Sequence, residues 1–560
     1  MRTANRSTVP ASVFLRAWSH KLPCLFGTTL LLFSGCNSAA LHGGGMMDMT
    51  TPSLSGLDPS AQPELQWALR CGSVHPDGTA SHDIGTDAAF DAAGNVYITG
   101  SFSGSVTCTS VGVAVPTSFS ALGSSGGSFV AKLTPQGIVQ WVKSLGSVNT
   151  IGFETYETKV AVRPDGVLYI SGYSQSAAKI DGAAVGGERF LLSLETDGRM
   201  RWLVPVSGVT GGPAQMKITS LHVTQAGGQY TVQVGGLCKS VSLTSPNDCP
   251  DGSQYIWSVI DGGVNRGTPQ RVHLFPLAKD PDLNQGVFDI GDDELGRLTW
   301  VGGNTVGVSM TGIMPSPTGT TAYLVRRQAE EQWSGGFVLQ DKQVAELSHS
   351  PNHDLPWLND SIRYGTKAYF DRQGNTYIGT LFNGNMPMPW IRKFGLNGST
   401  PLWEETIQAT TTANDFGLGF IGIRGDHDEH PIFAAHVFSN NRLNGSGYAL
   451  NGPAAPNGTA PLDYDILIWK LDRSGTEGGM GSAPRSIPLW TLPTRISLGS
   501  KSLVGFDVHR PTNRMVVLSR TAAVTVRVDG QPLPALTRPE NKKDGENDLA
   551  LFLFAPKTTP

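Results

Sequence analysis

The phrase FDAAGNVYITGSFSG at 90–104 returns as FDRQGNTYIGTLFNG at 370–384. Such a phrase is a strand, a glycine turn and a second strand. One hairpin cannot bury its own apolar face, so a chain that repeats it must stack the copies on one another. The turn glycine supplies a positive φ, and the β-branched and aromatic residues after it suit a strand. The same grammar appears in VAVRPDGVLYISGYS (160–174), LHVTQAGGQYTVQVGG (221–236) and FDIGDDELGRLTWVGG (288–303). Weaker copies stand at 421–438 and 504–520.

A second phrase follows each copy after an insert of variable length. SFVAKLTPQGIVQWVKSLG (128–146), RFLLSLETDGRMRWLVPVSG (189–208) and PWIRKFGLNGSTPLWEETI (389–407) share it, and 466–490 carries a version interrupted by an insert. Each is a strand, a glycine turn and a strand bearing Trp141, Trp202, Trp403 or Trp490; the copies at 254–275 and 321–339 are degenerate. Two hairpins make a four-stranded unit, and units recurring about every 70 residues predict an all-β, seven-bladed β-propeller. The last unit ends in DLALFLFAPKTTP (548–560) and lacks its Trp strand. ELQWALRCG at 64–72 places Trp67 where that strand's Trp belongs. Because open sheet edges invite aggregation, the N-terminal strand is expected to complete the last blade and close the ring.

Composition agrees. Charged residues are only 16% of the 560, beside 68 Gly and 36 Pro, which disfavours long surface helices and favours short strands and turns. A net charge of −4 gives nucleic acid no purchase.

DAAGNVYITGSFSG with SFVAKLTPQGIVQW resembles the SBBP (seven-bladed beta-propeller) repeat, with its D-x-x-G-N-V-Y-V-T-G and F-V-A-K-L-x-x-x-G motifs. The first, second and fifth units match it well, the others in rhythm only. The resemblance implies a secreted or surface bacterial protein and carries no catalytic residues.

The N-terminus reads as a targeting segment. Arg2, Arg6, Arg16, His20 and Lys21 precede the apolar run LPCLFGTTLLLFSGC (22–36), too short for a confident membrane span. Phe33-Ser34-Gly35-Cys36 resembles the lipobox of bacterial lipoproteins, with Phe33 in place of the usual Leu. Residues 1–35 are therefore expected to be a lipoprotein signal peptide and Cys36 the lipid attachment site. Residues 36–63 would be a flexible tether and 64–560 the propeller. Asn37 is not the Asp that favours inner-membrane retention, so the expected location is the cell envelope, anchored by lipid at the outer membrane.

Cys71, Cys108, Cys238 and Cys249 remain as disulfide candidates, with three pairings open. Cys238 and Cys249 bracket a short loop. Cys71 with Cys108 would then follow by elimination and tie the closing strand to the first blade; buried free thiols are the alternative. Asp426, His427, Asp428, Glu429 and His430 could suggest zinc or calcium, but they fall on the hairpin turn of their unit and read as a solvated tip. DDELGRLTW (292–300) has one residue too many for the Asp box of sialidases. The Trp phrases resemble quinoprotein-type repeats, in which the indole docks between neighbouring blades. No catalytic set, metal site or cofactor signature emerges.

The leading expectation is a lipid-anchored extracytoplasmic propeller that serves as a binding or scaffolding surface for an envelope protein or polysaccharide. Inserts at 105–127, 265–286, 341–367 and 440–464 would decorate it. The alternatives are a propeller hydrolase or lyase acting on glycan or peptide at the central channel mouth, and an envelope assembly factor. Charged side chains converging on the channel would favour the enzyme.

Overall fold

A computed structural model describes residues 62–74, 83–102, 105–113, 127–145 and 158–173, then the strands and several tight turns between 179 and 557. Residues 1–61, with Cys36, lie outside the described residues. So do the side chains of Cys238, Cys249 and Trp490.

The hairpin turns show why these residues form these strands. Asp91 Oδ1 accepts the Ala93 N–H at 3.0 Å and the Asn95 N–H at 2.9 Å, while Gly94 takes φ 79°. Asp371 repeats this with the Asn375 N–H at 2.7 Å and Gly374 at φ 83°. An aspartate that satisfies turn amides, followed by a residue free to adopt positive φ, reverses the chain without strain. Each turn joins an innermost strand to the next: Ile84–Phe90 to Val96–Phe102, and Lys367–Phe370 to Thr376–Phe382. The sheet then continues outward, in the first case through Gly127–Leu133 to Val139–Ser144.

The result is an all-β propeller; among the described residues the helical content is the single turn Arg510–Thr512. Six blades of mostly three to four strands are distinguished, not the seven expected from the repeats. The units are not copies of one four-stranded pattern. One sheet has five strands, and the sheet built on Leu418–Gly425 runs on into short strands as far as Gln531–Thr537.

The five-stranded sheet holds both ends of the described chain. Pro63–Val74 pairs antiparallel with Asp548–Pro556 on one side and with Ser105–Val111 on the other. Arg70 Nε donates to Asp548 Oδ2 at 2.7 Å, with both side chains fully buried. Cys71 and Cys108 face each other in register and form a disulfide, with Cα atoms 4.1 Å apart. Trp67, Leu69, Ile98, Leu133, Leu518 and Leu551 share one apolar cluster, so strands from both ends of the sequence build a common core. Full burial of each such side chain contributes about 1.5–3 kcal/mol.

Trp residues couple neighbouring units. The Trp67 indole N–H donates to the Pro135 carbonyl at 3.0 Å, Trp141 to Thr196 at 3.0 Å, and Trp403 to Arg473 at 3.2 Å. Trp202 donates instead to Asp261 Oδ1 at 2.9 Å. Asp261 also accepts from Tyr169 and, at 3.0 Å each, from Arg163 and Arg201.

The turn at 426–430 departs from the solvated tip expected of it. His427 and Asp428 are exposed, but Asp426 is 1% and Glu429 5% exposed. Asp426 Oδ1 accepts the Asp428 and His430 N–H groups, and Lys470 pairs with its other oxygen. Glu429 occupies the positive-φ place of Gly94 and Gly374, at φ 65°. That conformation costs a non-glycine residue about 1 kcal/mol. Tyr369, Arg372 and Arg510 all converge on its carboxylate and hold it there. Glu429 makes this turn a junction between units.

Candidate functional site

The innermost strands pack side by side around the propeller axis. Ile84–Phe90 lies against Lys159–Val162 on one side and Leu503–His509 on the other. Gln215–Ala226 lies between Lys159–Val162 and Gly286–Asp292, and Lys367–Phe370 between Gly286–Asp292 and Leu418–Gly425. Side chains that sense one another across several of these strands can meet only near the axis.

Six charged residues do so, one from each of six strands: Asp87, Lys159, Asp289, Lys367, Arg424 and Asp507. Lys367 feels Lys159, Asp289, Asp87 and Arg424; Arg424 feels Asp507, Asp289 and Asp87. Asp87, Lys159, Asp289 and Lys367 are half-buried. The Arg424 side chain keeps 36% and Asp507 20% of its exposure, so the cluster retains contact with solvent while enclosed by strands.

The carboxylates are held by backbone. Asp87 Oδ2 accepts the Val160 N–H at 3.1 Å, Asp289 Oδ2 the Ala368 N–H at 3.1 Å, and Asp507 Oδ2 the Phe90 N–H at 2.8 Å. Each bond crosses from one innermost strand to another. Asp507 Oδ1 also accepts from Arg424 Nε at 3.1 Å. The two ammonium groups differ: among the described residues neither Lys159 Nζ nor Lys367 Nζ has a hydrogen-bond or ion-pair partner.

The electrostatics follow from this crowding. Burial pushes Lys367 down to about 8, and the Lys159 charge pushes the same way against the pull of Asp289 and Asp87. Burial raises the Asp507 carboxyl although Arg424 and the Phe90 N–H oppose it. Burial also disfavours the Arg424 charge, but Asp507, Asp289 and Asp87 outweigh it and raise Arg424. Fixed acceptors interleaved with fixed donors, three acidic and three basic groups, can orient a polar ligand by several directed hydrogen bonds.

The described sequence candidates are not part of this cluster. Cys71 and Cys108 are joined on the two outermost strands of the five-stranded sheet, whose innermost strand, Leu503–His509, carries Asp507. Trp67, Trp141, Trp202 and Trp403 are docked between units. Among the described residues, no group of three or more His, Cys, Asp or Glu could hold a metal ion. The axial charges escaped the sequence reading because their residue types differ, although Asp87, Lys159 and Lys367 hold one place in the repeat, four residues before Asp91, Arg163 and Asp371. Register is a further local signal: Asp87 and Asp289 each follow a β-bulge in an innermost strand, as does Ser220.

No family model matches the chain, and no curated protein does. Solved propeller structures resemble it at low identity. Quinohemoprotein alcohol dehydrogenase from Comamonas testosteroni aligns over 92% of this chain and 78% of its own, with 9% identity and a TM-score of 0.39. A PL25 polysaccharide lyase, an ulvan lyase, aligns over 84% of this chain and 98% of its own, with 9% identity and a TM-score of 0.39. The endosialidase of phage phi92 aligns over 89% of this chain and 70% of its own, with 8% identity and a TM-score of 0.35. The propeller neighbours thus include enzymes.

Proposed function

We propose that this protein is a lipid-anchored propeller of the bacterial cell envelope that binds a polar ligand at the channel axis. The signal peptide at 1–35, the lipid on Cys36 and the tether at 36–63 belong to this reading, as does closure of the ring by strand 64–72. The SBBP-like motifs at 90–104 and 128–146 support the location, and the pairing of Pro63–Val74 with Asp548–Pro556 supports the closure. The observation that carries the binding role is the division of labour among the axial charges. A hydrolase needs carboxylates free to exchange protons with substrate. Here Asp87, Asp289 and Asp507 already accept backbone N–H groups from neighbouring strands. They are fixed recognition groups. The ligand is an envelope polysaccharide or a polar protein segment. Immobilised, detergent-solubilised full chain should retain such a component from envelope extract, and Arg424→Met should release it. Retention unchanged by Arg424→Met would rule the axis out as the binding site.

A second reading, an enzyme at the channel mouth, is favoured by Lys367, whose lowered pKa suits a general base near neutral pH. Turnover of a glycan or peptide library that disappears in Lys367→Met would establish it.

A further inference from the structure

We infer that the axial site takes a monoanionic oxyanion, a carboxylate carried by the ligand, held between the ammonium groups of Lys159 and Lys367 with the Ser220 hydroxyl beside them. The inference rests on the binding role proposed above. Three observations support it.

The four strands concerned are consecutive around the axis: Lys159–Val162, Gln215–Ala226, Gly286–Asp292 and Lys367–Phe370, each packed on the next. In these strands and the adjoining Ile84–Phe90 the two acids are engaged and, among the described residues, the two lysines are not. Asp87 captures the N–H one residue after Lys159, and Asp289 captures the N–H one residue after Lys367. In both places a carboxylate is turned to the backbone beside a lysine and leaves the ammonium without a direct partner among the described residues. Two ammonium groups within electrostatic reach of each other in an enclosed space repel, and an anion between them relieves the repulsion.

Ser220 adds a donor. It stands at the same post-bulge position as Asp87 and Asp289, is 5% exposed, and its Oγ has no hydrogen-bond partner among the described residues. A buried hydroxyl left unsatisfied costs free energy unless something else meets it. A carboxylate has two oxygens and several lone pairs, enough for two ammonium groups and one hydroxyl.

Charge limits the ligand. The groups facing Lys367 are Lys159, Asp289, Asp87 and Arg424, and Asp507 balances Arg424. The set of six is neutral, so each negative charge on a ligand adds repulsion from the three carboxylates, and a dianion is disfavoured more than a single carboxylate.

The test is calorimetric titration of the full chain with glucuronate as the probe. Glucose is the neutral control and inorganic sulfate the dianionic one. Saturable glucuronate binding at pH 7 is expected, at least tenfold weaker in Lys367→Met and in Lys159→Met. It should weaken severalfold at pH 9.5, where Lys367 has lost its proton, and Lys367→Arg should keep binding at that pH. Circular dichroism melts of each variant separate loss of the site from loss of the fold. Glucuronate binding that is unchanged in folded Lys367→Met, that does not fall with pH, or that is matched by sulfate would overturn the inference. Binding of an envelope component that ignores glucuronate as competitor would overturn it too, while leaving the proposed binding role intact. Absence of both would remove both.

Discussion

The Trp67 indole donates to the Pro135 carbonyl at 3.0 Å, and Trp141 makes the same bond at the same length to Thr196. Trp67 lies on the strand nearest the N-terminus, yet it joins its neighbour as an internal unit does. Trp67→Ala should therefore cost about 3–5 kcal/mol, as for other buried aromatics. Half-buried Trp141→Ala should cost less. Urea denaturation of the two variants measures the difference; equal losses would contradict the burial of Trp67.

Arg70 and Asp548 bind each other with no solvent contact, across strands at opposite ends of the sequence. Removing one partner leaves a buried charge, so Arg70→Met should lose about 3–5 kcal/mol. The double variant Arg70→Met with Asp548→Leu should recover most of it, which a double-mutant cycle reads directly.

The Cys71–Cys108 disulfide closes a sequence separation of 37 residues. Chain entropy assigns such a closure about 4 kcal/mol. Cys71→Ser combined with Cys108→Ser should lower stability by about 2–4 kcal/mol, and reductant should lower the melting temperature of the native chain more than that of this variant.

Asp261 predicts an acid limit. Burial alone would raise its carboxyl, but the Trp202 and Tyr169 hydrogen bonds and the guanidinium groups of Arg201 and Arg163 hold it below its ordinary value. A depressed folded value means that the stabilisation is complete above the unfolded value of about 3.9 and is lost as pH falls through the folded one. Asp261→Asn should cost about 2–4 kcal/mol at pH 7 and flatten the dependence of melting temperature on pH below about 4.

Lys367 predicts the opposite dependence. Its folded value of about 8 lies below its ordinary 10.5, so the unfolded chain binds more protons between the two. Stability should rise with pH across that window, and Lys367→Met should abolish the rise and melt higher at pH 7.

Architecture was legible in this sequence where chemistry is local. Asp91 and Gly94 write a turn within four residues, and Trp141 and Trp202 each stand four residues after a glycine turn, at Gly137 and Gly198. Glu429 was misread for the same reason: the polar run around it looks solvated, and its partners Tyr369 and Arg510 lie 60 and 81 residues away. The number of blades was not legible because recurring hairpins do not report how far a sheet continues beyond them. The axial charges were the least legible. They are single residues spread from Asp87 to Asp507, and only the closing of the strands around one axis makes them neighbours.

Strand Pro63–Val74 is zipped to a partner along both of its edges and bolted through Cys71 to Ser105–Val111. Force applied to the chain ahead of Pro63 would therefore load two rows of hydrogen bonds in shear, all at once, instead of peeling them one by one. The bolt would pass the remainder of the pull to a neighbouring strand. A protein pulled from that side should behave mechanically as a clamp, yielding at a single high force.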